Sequence, residues 1–252
     1  MARMIKYTRR VTRPYVRALQ SGYRGMRRSL RDDFPPWMGG VADPILDHFD
    51  LLLVDHGVFR LVYPNRHAVS ATVWRSSQPA PHEIAVFAKR GIRTIVNLRG
   101  DRDCGSYRLQ RAACRRHGIR LVDFPARSRA APDRSFFHDV KTLFETVEYP
   151  MLMHCKSGAD RVGLMSVLYL LLAEGRSAEE AKRQLSLRYG HIRQADTGIL
   201  DAIFDAYIQH NRKTPNGFLD WIDTHYDAKA LKAKFSARSW GNMLVDGILR
   251  RE

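Results

Sequence analysis

Long apolar runs, paired cysteines and metal-ligand spacings are all missing from this chain of 252 residues. Its longest apolar stretch is about ten residues, roughly half of what a bilayer crossing needs. No secretory apolar region follows its start. Cys104, Cys114 and Cys155 are the only cysteines and show no C-x2-C spacing. That excludes a disulfide framework and a zinc module, and it favours a reducing, cytoplasmic setting. No internal repeat or low-complexity tract occurs. Acid is missing too, but only locally: residues 1–31 hold ten of the 42 Lys and Arg and no Asp or Glu. The remainder carries a basic surplus of six, so much of the +16 net charge belongs to the N-terminal arm.

What is present divides into three parts. Residues 1–44 form a basic arm ending in a Pro- and Gly-rich linker, Asp32 to Pro44. In the arm Met4, Thr8, Val11, Tyr15, Leu19, Tyr23, Met26 and Leu30 recur at helical spacing, interrupted by Pro14 and weakened by Gly22 and Gly25. Such a stripe suits an anionic membrane surface, packing on its own domain, or disorder until an acidic partner arrives. The arm also has the acid-poor, arginine-rich look of a transit peptide. Nucleic acid is not an expected partner, because no nucleic-acid fold signature accompanies the charge. Residues 45–211 form the main body, and residues 212–252 a helical C-terminal extension.

Within the body, β-like runs fall at 51–54, Val58–Val62 and Ala71–Trp74. Further strands are predicted at Arg93–Leu98, Leu121–Phe124 and 150–153. Between them lie helical stretches at Glu83–Lys89, Tyr107–Arg116 and Ser135–Val147. Alternation of this kind predicts an α/β fold, a mostly parallel central sheet flanked by helices on both faces. After it, Ser177-x-x-Glu180 is a capping box opening a helix to about Gly190. Thr197 caps another running to about His210. Patches at Leu219–His225, Ala228–Phe235 and Trp240–Arg250 are helical as well.

The most informative stretch is His154 to Gly163, HCKSGADRVG. It lies between the apolar run 150–153 and a helical run beginning at Leu164. A strand, a short glycine-containing loop and a helix in that order turn backbone N–H groups inward at a helix start, a ready anion site. A cysteine there, near a helix N-terminus and an arginine, is favoured as the thiolate nucleophile. Arg161 can hold two phosphoryl oxygens in its planar fork. Five such fixed letters recur by chance in a chain of this length roughly once in ten thousand.

The stretch resembles the HC-x5-R signature of the cysteine-dependent protein tyrosine phosphatase superfamily. Its Cys-x-x-Gly-x-Asp-Arg form is similar to that of atypical dual-specificity and lipid phosphatases. Trp74-Arg75-Ser76-Ser77-Gln78-Pro79 and Gly91 to Arg99 extend the likeness to atypical dual-specificity phosphatases of plant-and-fungal type and their bacterial relatives, over roughly residues 70–210. The resemblance implies hydrolysis of phosphomonoesters through a cysteinyl-phosphate on Cys155, without metal or cofactor. Lys156, Ser157, Gly158, Ala159, Asp160 and Arg161 would bind the phosphate. His154 would organise the loop, and Gly163 would admit close packing of the helix start.

Two departures from the superfamily stand out. Val162 occupies the place of a Ser or Thr that helps the thiolate leave, so slow hydrolysis of the intermediate is expected unless Ser157 or Ser166 substitutes. The loop from Pro125 to Pro132 contains no acid, although relatives carry their proton donor there. Asp160 is then the first candidate donor, with a structural ion pair as its alternative. Asp133 is second, with a helix N-cap as its alternative. Gln194 could position water or simply bond within its loop. Asp123 is predicted to lie within a strand, and Cys104 could pair with Cys155 only if their Cα atoms lie close enough. Met151, Met153 and Met165 read as core. Lys156, Arg127, Arg129 and Arg134 could favour a polyanion. Expected substrates are therefore phosphorylated protein or a phosphoinositide or inositol phosphate. A weakly active binder of phosphorylated partners is a further alternative.

Overall fold

The computed structural model describes residues 64–237 together with residues 22, 25, 46–48 and 51. The stripe and linker of residues 1–44, apart from residues 22 and 25, lie outside the described residues. So do the 51–62 strands beyond residue 51, and the Trp240–Arg250 patch.

In chain order the elements are β1 (His67–Ala68), β2 (Val73–Ser76), α1 (Pro81–Lys89), β3 (Thr94–Asn97), α2 (Gly105–Arg116), β4 (Arg120–Asp123), α3 (Arg134–Thr146), β5 (Met151–His154), α4 (Asp160–Leu172), α5 (Ala178–Ala181), α6 (Ile199–Asn211) and α7 (Phe218–Thr224). Residues 228–237 are helical as well. Five strands form one sheet in the order β1-β2-β5-β3-β4. β5 runs parallel to both neighbours, whereas β1 is antiparallel to β2. This is the mixed α/β architecture with a mostly parallel sheet that the alternation of apolar runs predicts. Among the described residues no helix is long and apolar enough to cross a membrane.

The chain divides into two compact units. One contains α1 and α2, which pack on each other. The other contains β1, β2, β3, β5 and everything from α3 onward. Its centre is α4, buried on nearly every side from Val162 to Leu170, as expected of a helix apolar all round. β5 below it is fully buried at Met151, Leu152 and Met153, and Met165 is buried with them.

The register decides where chemistry can sit. Ser76 of β2 and Asn97 of β3 both align with His154 of β5. The strands therefore end in one row, and the loop after His154 leaves the carboxyl edge of the sheet between two neighbours, where ligands of parallel sheets bind.

One stretch differs from the sequence expectation. The helix opened by Ser177 stops after one turn, although Ser177 Oγ accepts the Glu180 amide at 3.3 Å. Short 3₁₀ turns at Lys182–Gln184 and Leu187–Tyr189 follow it. The Gln184 carbonyl, which a continuing helix would spend internally, instead accepts Arg75 Nη1 at 2.8 Å. The stretch beyond residue 211 packs inward: Phe218, Trp221, Ile222 and Tyr226 share one core with Phe137, Phe204 and Tyr207. Edge-to-face contacts of Phe218 and Tyr226 with Phe137, with centroids 5.6 and 5.4 Å apart, fasten α7 to α3.

Candidate active site

The loop from Cys155 to Ala159 is shaped by what holds its carbonyl oxygens. His154 Nδ1 lies 3.4 Å from Cys155 O, and the Gln78 amide donates to Lys156 O at 3.4 Å. Asn65 Nδ2 donates to Ser157 O at 2.9 Å. Arg75 Nη2 donates to Gly158 O at 2.9 Å and Ala159 O at 3.1 Å. Five successive carbonyls are thus engaged from behind. Among the described residues the amides of Ser157, Gly158, Ala159 and Asp160 make no bond to a protein acceptor. A run of such amides at the start of a 13-residue helix is the kind of arrangement that can receive an anion.

Glycine is required at two points. Gly158 has φ +73°, and a Cβ there would lie 2.6 Å from the Ser77 nitrogen and 2.8 Å from the Ser76 carbonyl carbon. The loop can therefore press against the end of β2 only without a side chain. At Gly163 a Cβ would meet Leu185 Cδ2 at 2.7 Å, so the helix start packs as closely as its sequence implies.

Arg75 was not singled out as a site residue by the sequence, yet it is fully buried. Besides the two loop carbonyls, it donates to Gln184 O and Gln184 Oε1, both at 2.8 Å. Its guanidinium lies 4.0 Å from the centroid of the Tyr189 ring, a cation–π contact that helps compensate burial. An arginine within an otherwise buried strand was the signal available. Asn65 adopts φ 42°, a region asparagine tolerates. Its amide also reaches Tyr189 O at 2.9 Å.

Cys155 closes β5 with 2% of its surface exposed, and a thiol so shielded is screened from bulky reagents. Arg161 follows in the first turn of α4, and its Nη1 donates to Leu98 O at 3.2 Å. Lys156 is half-buried and Ser157 exposed. Val162 and Ser166 are fully buried on α4, and Ser166 Oγ makes no hydrogen bond.

Asp160, for which the sequence leaves a proton-donating and an ion-pairing role open, makes an ion pair. Its Oδ1 lies 2.8 Å from His191 Nδ1, while His191 Nε2 lies 2.6 Å from Asp201 Oδ2. His191 and Asp201 lie ten positions apart and far from the signature, so no sequence pattern marked them. Asp133 stands at the N-cap position of α3 but makes no capping bond through its side chain, and it is exposed. Gln194 is exposed in a turn. Asp123 ends β4, where its Oδ1 accepts Asn97 Nδ2 at 2.7 Å. Arg127 and Arg129 are exposed. Arg134 is spent on structure: its Nε and Nη2 donate to Tyr226 O at 3.0 and 2.8 Å, and its Nη1 to Asp223 O at 2.5 Å. All three cysteines are free thiols. Among the described residues no group of His, Cys, Asp and Glu could hold a metal ion.

A cysteine between a central parallel strand and a buried helix, followed by an amide nest and an arginine, defines the cysteine-dependent phosphatase class. The model of the family described as DSP-PTPase phosphatase fused to NAD+ kinase matches residues 62–199, more than half of the chain, and the chain belongs to that family. The dual specificity protein phosphatase TpbA of Pseudomonas aeruginosa strain UCBPP-PA14 is 26% identical over 122 residues, 48% of this chain and 53% of that protein. The chain thus spans about half the length of the curated relatives it matches. Among solved structures, the crystal structure of P. aeruginosa TpbA aligns with a TM-score of 0.46 and 21% identity, covering 68% of this chain and 91% of that one. The core catalytic domain of the PP-IP phosphatase SIW14 from S. cerevisiae, in complex with citrate, aligns with a TM-score of 0.44 and 17% identity, covering 59% and 90%.

Proposed function

We propose that the protein hydrolyses phosphomonoesters of phosphorylated proteins, with Cys155 as nucleophile. The observation that carries this reading is the loop itself: five carbonyls tied back, and amides left to face an anion beside a cysteine and an arginine. In the first step the Cys155 thiolate forms a sulfur–phosphorus bond as the bond to the ester oxygen breaks. The equatorial oxygens carry the developing charge, and the amides of residues 156–161 with the Arg161 fork stabilise it. Water then displaces sulfur from phosphorus, releasing inorganic phosphate and the thiolate.

The leaving oxygen must take up a proton or depart as an anion. With Asp160 engaged by His191 and no acid in Pro125–Pro132, aryl phosphates, whose leaving groups depart readily, are the better substrates. That suits phosphotyrosine above phosphoserine, within the dual-specificity type named for the TpbA relative. A phosphoinositide or inositol phosphate is the second reading. It is favoured by exposed Leu187 and Ile192 interleaved with exposed Arg188 and Arg193 close in sequence to Tyr189.

Vanadate-sensitive hydrolysis of an aryl phosphate, abolished in Cys155→Ser, is the expected result. Activity surviving in Cys155→Ser would overturn the mechanism. A panel of phosphopeptides and phosphoinositides then separates the two substrate readings, and phosphate release from the lipids alone would favour the second.

A further inference from the structure

His191 is 1% exposed and sits between two carboxylates, Asp160 of α4 and Asp201 of α6, at 2.8 and 2.6 Å. Ionised carboxylates only accept hydrogen bonds, so both ring nitrogens must carry protons, and the ring between them is an imidazolium. A neutral ring would turn a lone pair toward one carboxylate. Burial on its own would lower the basicity of this imidazole, but its bonds to Asp160 and Asp201 outweigh that and push it up to about 9.

We propose that His191 and Asp201 are positioning residues for the phosphate loop, neutralising and fixing Asp160 so that an acidic side chain can sit within an anion site. The proposal rests on the reading of that loop as a phosphate site. Asp160 supplies one amide of the nest and directly precedes Arg161. Left uncompensated, its carboxylate would repel a phosphate dianion and compete for the Arg161 guanidinium. The imidazolium removes both effects, and Asp201, whose side chain is 4% exposed, anchors the imidazolium to α6. The charged groups around the ring are Asp160 and Asp201, which touch it. Arg75 of β2 on Tyr189 and the Arg193–Asp205 pair at 2.7 Å flank its segment. The sign of the pH effect follows. Compensation is complete below 6.5, the ordinary value for histidine, and is lost as pH rises through about 9.

The test uses the full chain and two readouts, calorimetric binding of inorganic phosphate and aryl phosphate turnover across the pH range. His191→Gln is expected to weaken phosphate binding about tenfold, the size of one extra negative charge near a partly screened site. It should also erase the alkaline fall in kcat/KM near pH 9. In the double variant Asp160→Asn/His191→Gln the offending charge is gone, and phosphate affinity should recover. Asp201→Asn keeps the ring but loses one partner, so the alkaline fall should move to lower pH. This variant and the double variant carry the test if His191→Gln does not fold. Unchanged phosphate binding with an unchanged alkaline limb in His191→Gln overturns the proposal, as does a double variant that binds no better than the single one. A wild-type protein that binds phosphate without turning over any ester overturns the phosphatase reading alone. One that does neither overturns both.

Discussion

Two connections run beside the end of β3, and they are built to different standards. The loop after β5 is held at five successive carbonyls by His154, Gln78, Asn65 and Arg75. The segment after β4 follows β3 only through the Phe124 and Ala126 amides on Asn97 O and Leu98 O. Its far end is fastened by Tyr226, whose hydroxyl donates to Pro132 O at 2.7 Å. Between those anchors lie exposed Arg127 and Arg129 and no acid. On the proposed reading the first connection grips the phosphate, which is where most of the barrier to phosphoryl transfer is met. The second has no residue with which to protonate a leaving group. On that reading gripping and proton donation are separable functions, and the tied-back loop serves the first.

The comparison is broken most severely at Arg75. Arg75→Met leaves Gly158 O and Gln184 O without the donor that holds them and Ala159 O with the Gly163 amide alone, each lost bond costing roughly 1–3 kcal/mol. Denaturant unfolding should show a loss of about 3–5 kcal/mol. Aryl phosphate turnover should fall at least about a hundredfold, because a displaced loop misplaces every amide together. Wild-type turnover in this variant would mean that the carbonyl ties do not shape the site.

Gly158→Ala is the next largest. The new Cβ would strike the Ser77 nitrogen at 2.6 Å at a backbone angle of +73°, costing about 2 kcal/mol. Turnover should fall roughly tens of fold through loop displacement. Crystals of the variant should show Ser77 and the loop moved apart.

Smaller, and opposite in sign, is the effect expected at Val162. It is fully buried next to Arg161 and offers no hydroxyl to the departing thiolate. Rapid-quench measurements on the wild type should show a burst of the first product if hydrolysis of the cysteinyl-phosphate is the slow step, as Val162 leads us to expect. Val162→Thr should raise that slow step about tenfold while costing about 1 kcal/mol of stability for the buried hydroxyl. A wild type without a burst would place the slow step elsewhere.

Much of this was legible in the sequence because it is local. The apolar runs at Arg93–Leu98 and 150–153 became β3 and β5 with each end moved by one residue. The spacing of Cys155, Gly158 and Arg161 already implied a strand, a nest and a helix. What stayed hidden depends on contacts between distant residues. Arg75 meets Gly158 across 83 positions and Asn65 meets Ser157 across 92, and no periodicity records such pairs. His191 stays hidden for the same reason, since it meets Asp160 across 31 positions. The single-turn α5 ends earlier than its sequence implies: Ser177 does cap it, while the arginine that claims the Gln184 carbonyl lies in another strand. In the sequence Arg134 could favour a polyanionic substrate or belong to a solvated basic face. The carbonyls at the end of α7, 89 and 92 residues further on, take it instead.

The smallest effect is the sharpest test of the contrast between the two connections. Tyr226→Phe removes only the hydroxyl that holds Pro132 O, leaving Phe137 packed against the ring at 5.4 Å. The loss of one buried hydrogen bond should lower stability by about 1 kcal/mol. If the Pro125–Pro132 segment donates no proton, loosening its end should change kcat for aryl phosphates by less than about twofold, and the pH profile should keep its shape. A tenfold fall in kcat at unchanged KM would show that the segment carries catalytic work after all, with exposed Asp133 one residue beyond Pro132 the first group to suspect. Asp133→Asn would then have to reproduce the loss and flatten one limb of the profile. If it did not, the segment would act by shielding the site from water rather than by supplying acid.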